Sequence, residues 1–162
     1  MKVAVIGVTG RVGSRVAAEL LSRGHIITGI ARQPENAKPQ AGVDLKKGDV
    51  TNSSSLSPIL ADHDAIISAS RFQTSDATVL LAAVKEAGVR RLLVVGGVAS
   101  LLVGPGERLI ETPDFPEAYK PEAQAGIRFL EALRAEKELE WTFLTSGQDS
   151  QLPDEPAQAV RD

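Results

Sequence analysis

The stretch Val3-Ala4-Val5-Ile6-Gly7-Val8-Thr9-Gly10-Arg11-Val12-Gly13 decides how this chain folds. The apolar run Val3 to Ile6 suits a strand buried on both faces, as in a parallel sheet covered by helices. Gly7 ends the run, and a helical pattern begins almost at once. Val12, Val16 and Leu20 recur at i, i+4 and i+8, with Arg11, Arg15, Glu19 and Arg23 turned elsewhere. Gly24 is well placed to stop that helix.

The alternation continues outward from this unit. Ile26 to Ala31 reads as a second strand, and Val43 to Gly48 as a third whose polarity suits a sheet edge. Leu56 to Ala61 predicts a short helix, and Ala65 to Ala69 a fourth strand. Val79, Leu80, Ala83, Val84 and Ala87 form another helical stripe closed by Gly88, before a fifth strand at Leu92 to Val95. Pro105, Pro113, Pro116 and Pro121 then mark 101–121 as a long irregular connection. A longer helix is expected from Glu122 to Lys137, buried along Ile127, Leu130 and Leu133, and a sixth strand from Trp141 to Thr145. Strands alternating with helices predict a single α/β domain: a Rossmann-like, doubly wound parallel sheet of order 3-2-1-4-5-6 in three α/β/α layers. That domain covers 1–145. Residues 146–162 carry two prolines, four acids and one base, and read as a polar tail, disordered or loosely packed.

Composition narrows the function classes. The 162 residues include 18 Lys+Arg against 21 Asp+Glu, a formal net charge of -3, so no basic stripe is expected for phosphate backbones. Aromatic residues are only 4%, too few for base-stacking platforms. Nucleic acid is therefore not an expected partner. The absence of cysteine removes disulfides, thiolate nucleophiles and iron–sulfur clusters. With only His25 and His63 besides, no metal site is expected; each histidine precedes a strand and suits a surface or capping role. No apolar stretch approaches the ~20 residues that span a bilayer, and MKVAVIG lacks a leader pattern, so a cytoplasmic protein without membrane contact is expected.

The chemistry lies in Gly7-Val8-Thr9-Gly10-Arg11-Val12-Gly13, between the first strand and the first helix. Gly7 allows a sharp turn, Gly10 allows close approach of a pyrophosphate, and Gly13 allows helix and strand to pack closely. Free N–H groups and the positive end of the helix dipole then favour phosphate. The second strand ends Ile30-Ala31-Arg32-Gln33, with no acid where NAD sites place one for the ribose hydroxyls. An Arg there can meet a 2′-phosphate, so NADP(H) is expected in preference to NAD(H); the competing reading makes Arg32 a solvated loop residue. Asp49 and Val50 would flank adenine, Ala69 and Ser70 the nicotinamide ribose, and Gly96 and Gly97 would leave room for a ring. Each of these also reads as ordinary loop or turn chemistry.

GVTGRVG (7–13), IARQP (30–34), GDV (48–50), AGVRRLLVVGGVASL (87–101) and TPDFPEAYKPEA (112–123) together resemble the NAD(P)H-binding, NmrA-like group of atypical short-chain dehydrogenase/reductases. The group includes NADH-flavin-reductase-like and epimerase/dehydratase-like proteins, and the likeness covers about 1–145. It implies a Rossmann fold holding NADP(H) across Gly7, Thr9, Gly10, Arg11, Val12 and Gly13, with Arg32 near the adenosine phosphate and Asp49 and Val50 near adenine.

Two departures follow. Short-chain dehydrogenases carry Tyr-x-x-x-Lys, whereas Tyr119 precedes Lys120 directly and position 123 is Ala. Adjacent residues on a helix do not share a face, so Tyr119 reads as a lid or packing residue, Ser100 as a turn residue, and no catalytic residue is assigned. Relatives also continue beyond the final strand, where this chain has its polar tail, so one wall of the pocket is expected to be missing. The leading expectation is a reductase passing hydride to a small planar acceptor, flavin or quinone. The alternatives are a non-catalytic NADP(H) sensor acting through 101–121, or an epimerase/dehydratase-like enzyme. The long helix could pair two copies into a homo-oligomer.

Overall fold

Short apolar runs separated by amphipathic stretches can hide both strand faces only beneath helices on either side of one sheet. The computed structural model describes residues 1–37 and 40–145 and has that arrangement. In chain order the elements are β1 (Lys2–Ile6), α1 (Arg11–Ser22), β2 (Ile26–Ala31), β3 (Val43–Lys47), α2 (Ser53–Leu60), β4 (Ala65–Ser68), α3 (Ala77–Glu86) and β5 (Arg91–Gly96). They continue with a small hairpin of β6 (Leu102–Gly104) and β7 (Glu107–Arg108), then α4 (Lys120–Ala135) and β8 (Glu140–Thr145). Six strands form a parallel sheet in the order β3-β2-β1-β4-β5-β8. With the hairpin set aside, this is the expected doubly wound order.

Val3 to Ile6 are all buried, and they alternate between two cores because successive strand side chains point to opposite faces. Ala4 and Ile6 join Ile30, Leu56, Leu60, Ile66, Leu80, Val84, Leu92, Val94, Phe129 and Leu133 in the larger core, which draws on α2, α3 and α4. Val3 and Val5 join Val8, Ala17 and Ile27 beneath α1. The expected stripe Val12-Val16-Leu20 needs correction. Val12 is 46% exposed, and the buried line of α1 is Gly13 and Ala17, with Val16, Leu20 and Leu21 packed at its sides. The helix lies so close to the β1 turn that only small residues fit along the contact.

Local chemistry sets the element ends. Gly24 and Gly88 follow α1 and α3 with positive φ. Asn52 caps α2 by accepting from the Ser55 N–H, and Asp76 caps α3 by accepting from the Thr78 and Val79 N–H groups. His63 is buried just beyond α2. Its Nδ1–H donates to the Leu60 and Ala61 carbonyls, both at 3.0 Å, and its Nε2 accepts from the Thr28 hydroxyl at 2.8 Å. This is a capping role, held inside the fold rather than on the surface.

The connection 101–121 is more ordered than its prolines suggest, because β6 and β7 pair within it and short 3-10 turns flank them. The Glu111 carboxylate accepts from the Arg108 N–H at 2.7 Å, and the Arg108 guanidinium reaches Glu131 on α4 at 3.5 Å. Helix α4 starts earlier than expected, with Pro121 in its first turn, where a missing N–H is harmless. Its buried side is Ala125, Gly126, Phe129, Leu130 and Leu133, while Ile127 is only half-buried. The expected tail at 146–162 lies outside the described residues. Among those described, no helix is long and apolar enough to cross a membrane.

Candidate functional site

Parallel strands end along one edge of the sheet, and the order reverses between β1 and β4, so the loops after these strands diverge and leave a crevice. The β1–α1 turn forms its floor. Gly7 has φ +77° and donates its N–H to the Ile30 carbonyl at 3.0 Å; the Gly10 N–H closes the turn on the Gly7 carbonyl at 3.0 Å. The Ser14 N–H makes the first helical bond, to the Gly10 carbonyl at 2.9 Å. The N–H groups of Arg11, Val12 and Gly13 therefore open the helix, with no side-chain cap and no acid in the first turn. This is the electropositive end of the helix, suited to an anion.

The three glycines divide the work. A Cβ on Gly7 would lie 2.9 Å from the Ala69 carbonyl oxygen, and one on Gly13 would lie 2.1 Å from that of Gly7. Both glycines therefore serve close packing inside the protein. A Cβ on Gly10 would meet only the Gly7 oxygen, at 3.3 Å, and Gly10 is exposed. Its bare face is the one a ligand can approach.

Cavities flank the turn. One, of about 680 Å³, is lined by Val8, Thr9, Ser14, Arg32, Gln33, Asn36 and Ala37 among others, and is largely polar. The other, of about 550 Å³, takes Val12, Ala69, Ser70, Phe72, Val95, Gly96, Gly97, Leu109, Phe115, Tyr119, Ile127 and Phe143 into a mostly apolar wall. Phe72 anchors it, with its ring centroid 5.2 Å from Phe129 and 5.9 Å from Phe143. Glu122 on α4 fixes the loop after β4, its Oε1 accepting from the Phe72 N–H at 2.7 Å and its Oε2 from the Gln73 N–H at 3.1 Å.

The candidate residues are thus sorted by position. Thr9 and Arg32 face the polar cavity, and Val12, Ala69, Ser70, Gly96 and Gly97 the apolar one, with Gly7, Gly10, Arg11 and Gly13 in the turn between them. Asp49 and Val50 are not brought into either wall. The Asp49 carboxylate accepts from the Thr51 N–H at 2.9 Å and the Thr51 hydroxyl at 2.8 Å. These bonds hold its carboxyl below the usual aspartate range, with a smaller pull from the Arg32 charge. Val50 is 6% exposed and belongs to the larger core. Gly96 also differs from the expectation of open room, because a Cβ there would lie 2.1 Å from Phe143 Cε1; the ring edge already fills that space.

A model of the NAD(P)H-binding family matches residues 7–161. The chain belongs to the NAD(P)H-binding family. Among relatives of this NAD(P)H-binding protein, the uncharacterized protein YwnB of Bacillus subtilis is 32% identical over 156 residues, 90% of this chain and 71% of YwnB. A crystal structure of a protein from Bacteroides thetaiotaomicron, called a "putative epimerase", is 36% identical with a TM-score of 0.80, covering 89% of this chain and 69% of that one. Another from Streptococcus pneumoniae, called a "putative NADH-flavin reductase", is 32% identical with a TM-score of 0.74, over 90% and 71% of the two chains.

This NAD(P)H-binding protein has a glycine turn between β1 and α1 but lacks the Tyr-x-x-x-Lys pair of short-chain dehydrogenases. Tyr119 is 66% exposed at the cavity wall, and the Lys120 ammonium pairs with Glu117. No group of acids and histidines among the described residues could hold a metal ion. Sequence reasoning missed Ser14, Gln33 and Asn36 on the polar side, and Phe72, Phe115, Glu122 and Phe143 on the apolar side. The nearest signal was Phe115 with its neighbouring prolines inside the connection 101–121.

Proposed function

We propose that this protein binds NADP(H) along the β1–α1 turn and passes hydride to a planar acceptor, a flavin or a quinone, held in the apolar cavity. One observation carries this reading. A turn whose helix opens without a side-chain cap separates a polar cavity bearing Arg32 from an apolar cavity framed by Phe72 and Phe143. A dinucleotide has that asymmetry, with a charged adenosine phosphate at one end, a diphosphate bridge, and a reactive ring at the other. Arg32 supports NADP(H) over NAD(H), because its fork suits a 2′-phosphate and β2 ends without the acid that would take ribose hydroxyls. The Streptococcus pneumoniae relative supports the acceptor class.

When bound, reduced nicotinamide supplies the hydride. The chain's own part is to position and exclude water. The N–H groups of Arg11, Val12 and Gly13 receive the diphosphate, and Val95, Phe72 and Phe143 offer apolar surface against which a flat ring can lie. Catalysis is then mainly proximity, which suits an acceptor able to spread added charge over its own ring system. We set this activity in the cytoplasm, with which a cysteine-free composition is compatible. A spectrophotometric assay of NADPH oxidation against free flavins and quinones is expected to show turnover above the protein-free rate. No turnover with any of them, despite measurable NADPH binding, removes the reductase and leaves a binding protein.

A further inference from the structure

We propose that Ser70 acts only as a hydrogen-bond acceptor toward the nicotinamide half of the dinucleotide, with Ser75 as the positioning residue that sets this polarity. This rests on the reading that a dinucleotide lies on the β1–α1 turn.

A serine hydroxyl has one proton to donate, and a backbone carbonyl can only accept. Ser75 Oγ donates to the Arg71 carbonyl at 2.7 Å, which commits the Ser75 proton. Ser70 Oγ lies 2.9 Å from Ser75 Oγ, so Ser70 must be the donor in that pair. Ser68 Oγ, on a residue only 3% exposed, lies 3.1 Å from Ser70 Oγ and must in turn donate to it. The row runs Ser68 to Ser70 to Ser75 to the Arg71 carbonyl and ends there.

Ser70 is left with a free lone pair and no free proton. It lines the apolar cavity, and its amide nitrogen lies 3.1 Å from the place a Cβ on Gly7 would take. Ser70 therefore stands where the glycine turn meets the apolar cavity. The ligand group matched to its lone pair is a neutral donor, either the carboxamide N–H or a hydroxyl of the adjoining ribose. A ligand carbonyl placed there would face lone pair against lone pair. The same row cannot deliver a proton to a reduced acceptor, since each of its protons is already committed within it.

The test measures dissociation constants of NADPH, its 3-acetylpyridine analogue (a methyl ketone in place of the carboxamide) and 2′,5′-ADP, which lacks the nicotinamide half. Wild type, Ser70→Ala, Ser75→Ala and Ser75→Thr are compared by calorimetry. Wild type is expected to prefer NADPH over the ketone by about three- to tenfold, the range one neutral hydrogen bond supports. Ser70→Ala abolishes the preference. Ser75→Ala frees the Ser70 proton for the ketone and narrows it, and Ser75→Thr restores it. All four proteins bind 2′,5′-ADP alike. If Ser70→Ala instead weakens NADPH and the ketone equally while 2′,5′-ADP is unaffected, the ribose hydroxyl is the donor and the acceptor role stands. Unchanged NADPH and ketone binding in Ser70→Ala, with 2′,5′-ADP bound, overturns the proposal and spares the dinucleotide reading. Failure of wild type to bind either NADPH or 2′,5′-ADP overturns both.

Discussion

Gly10 and Gly13 belong to one motif yet should respond oppositely to the same methyl group. In Gly13→Ala the new Cβ lies 2.1 Å from the Gly7 carbonyl oxygen, 2.7 Å from its carbon and 3.0 Å from Val8 Cα. All three are backbone atoms, so α1 must move off β1. Overpacking of this kind costs about 1–3 kcal/mol, and contacts this short argue for the upper end. Alanine recovers about 1 kcal/mol through its better helix propensity. The net loss is roughly 2 kcal/mol, or a fall in Tm of about 4–8 °C for a domain of this size. Gly10→Ala meets only the Gly7 oxygen at 3.3 Å, in a backbone conformation (φ -79°, ψ 165°) that alanine adopts freely. The unfolded chain loses entropy worth about 0.4–1 kcal/mol, and the poorer N-cap offsets a similar amount. Stability should stay within about 0.5 kcal/mol of wild type, by the balance of those two terms. Its methyl group nevertheless stands in the crevice, and holding a diphosphate off one charge-assisted bond weakens NADPH binding by about tenfold or more. Urea unfolding and NADPH titration of both variants read the contrast. Equal destabilisation by the two changes, or wild-type NADPH affinity in Gly10→Ala, would refute this division of labour.

Arg32→Ala should weaken NADPH by about tenfold or more, the worth of a charge-assisted hydrogen bond, while leaving NADH nearly unchanged in the same titration; parallel losses for both would assign Arg32 to something other than the 2′-phosphate. Asp49 titrates below its ordinary value of 3.8, held there first by the Thr51 N–H, then by the Thr51 hydroxyl, with Arg32 a smaller influence. Because the folded value lies below the unfolded one, its contribution is complete above that ordinary value and is lost as pH falls through the folded value. Asp49→Asn should therefore cost stability at neutral pH and converge on wild type in acid, and a gap independent of pH in unfolding experiments would contradict the linkage. Thr28→Val removes the donor to buried His63 Nε2 and should cost about 1–3 kcal/mol in urea unfolding, the penalty of an unsatisfied buried group; a loss below about 0.5 kcal/mol would show that the ring finds another partner.

The larger features were legible because they rest on short-range rules. Val3 to Ile6 could be read as a doubly buried strand, and Gly24 and Gly88 as helix stops, from residues a few positions apart. The departures from expectation share a cause. Val12 fits the helical period, but the period cannot tell which line of α1 lies against β1, and the close approach at Gly13 gave that line to small residues. Val50 follows a strand end as a ligand residue would, yet it turns into the core among Leu56 and Leu60. The space over Gly96 looked open until β8 brought Phe143 beside it, a pairing across many intervening residues.

By itself the sequence determined the strand–helix alternation, the glycine turn and the absence of an acid after β2, since each depends on side chains adjacent in the chain. Only the tertiary structure decided which glycine faces the crevice, how α4 and the 101–119 segment complete an apolar wall, and which way the protons run from Ser68 to Ser75. Those outcomes depend on distances between segments far apart in the chain, which are set when the sheet closes and the helices settle on it.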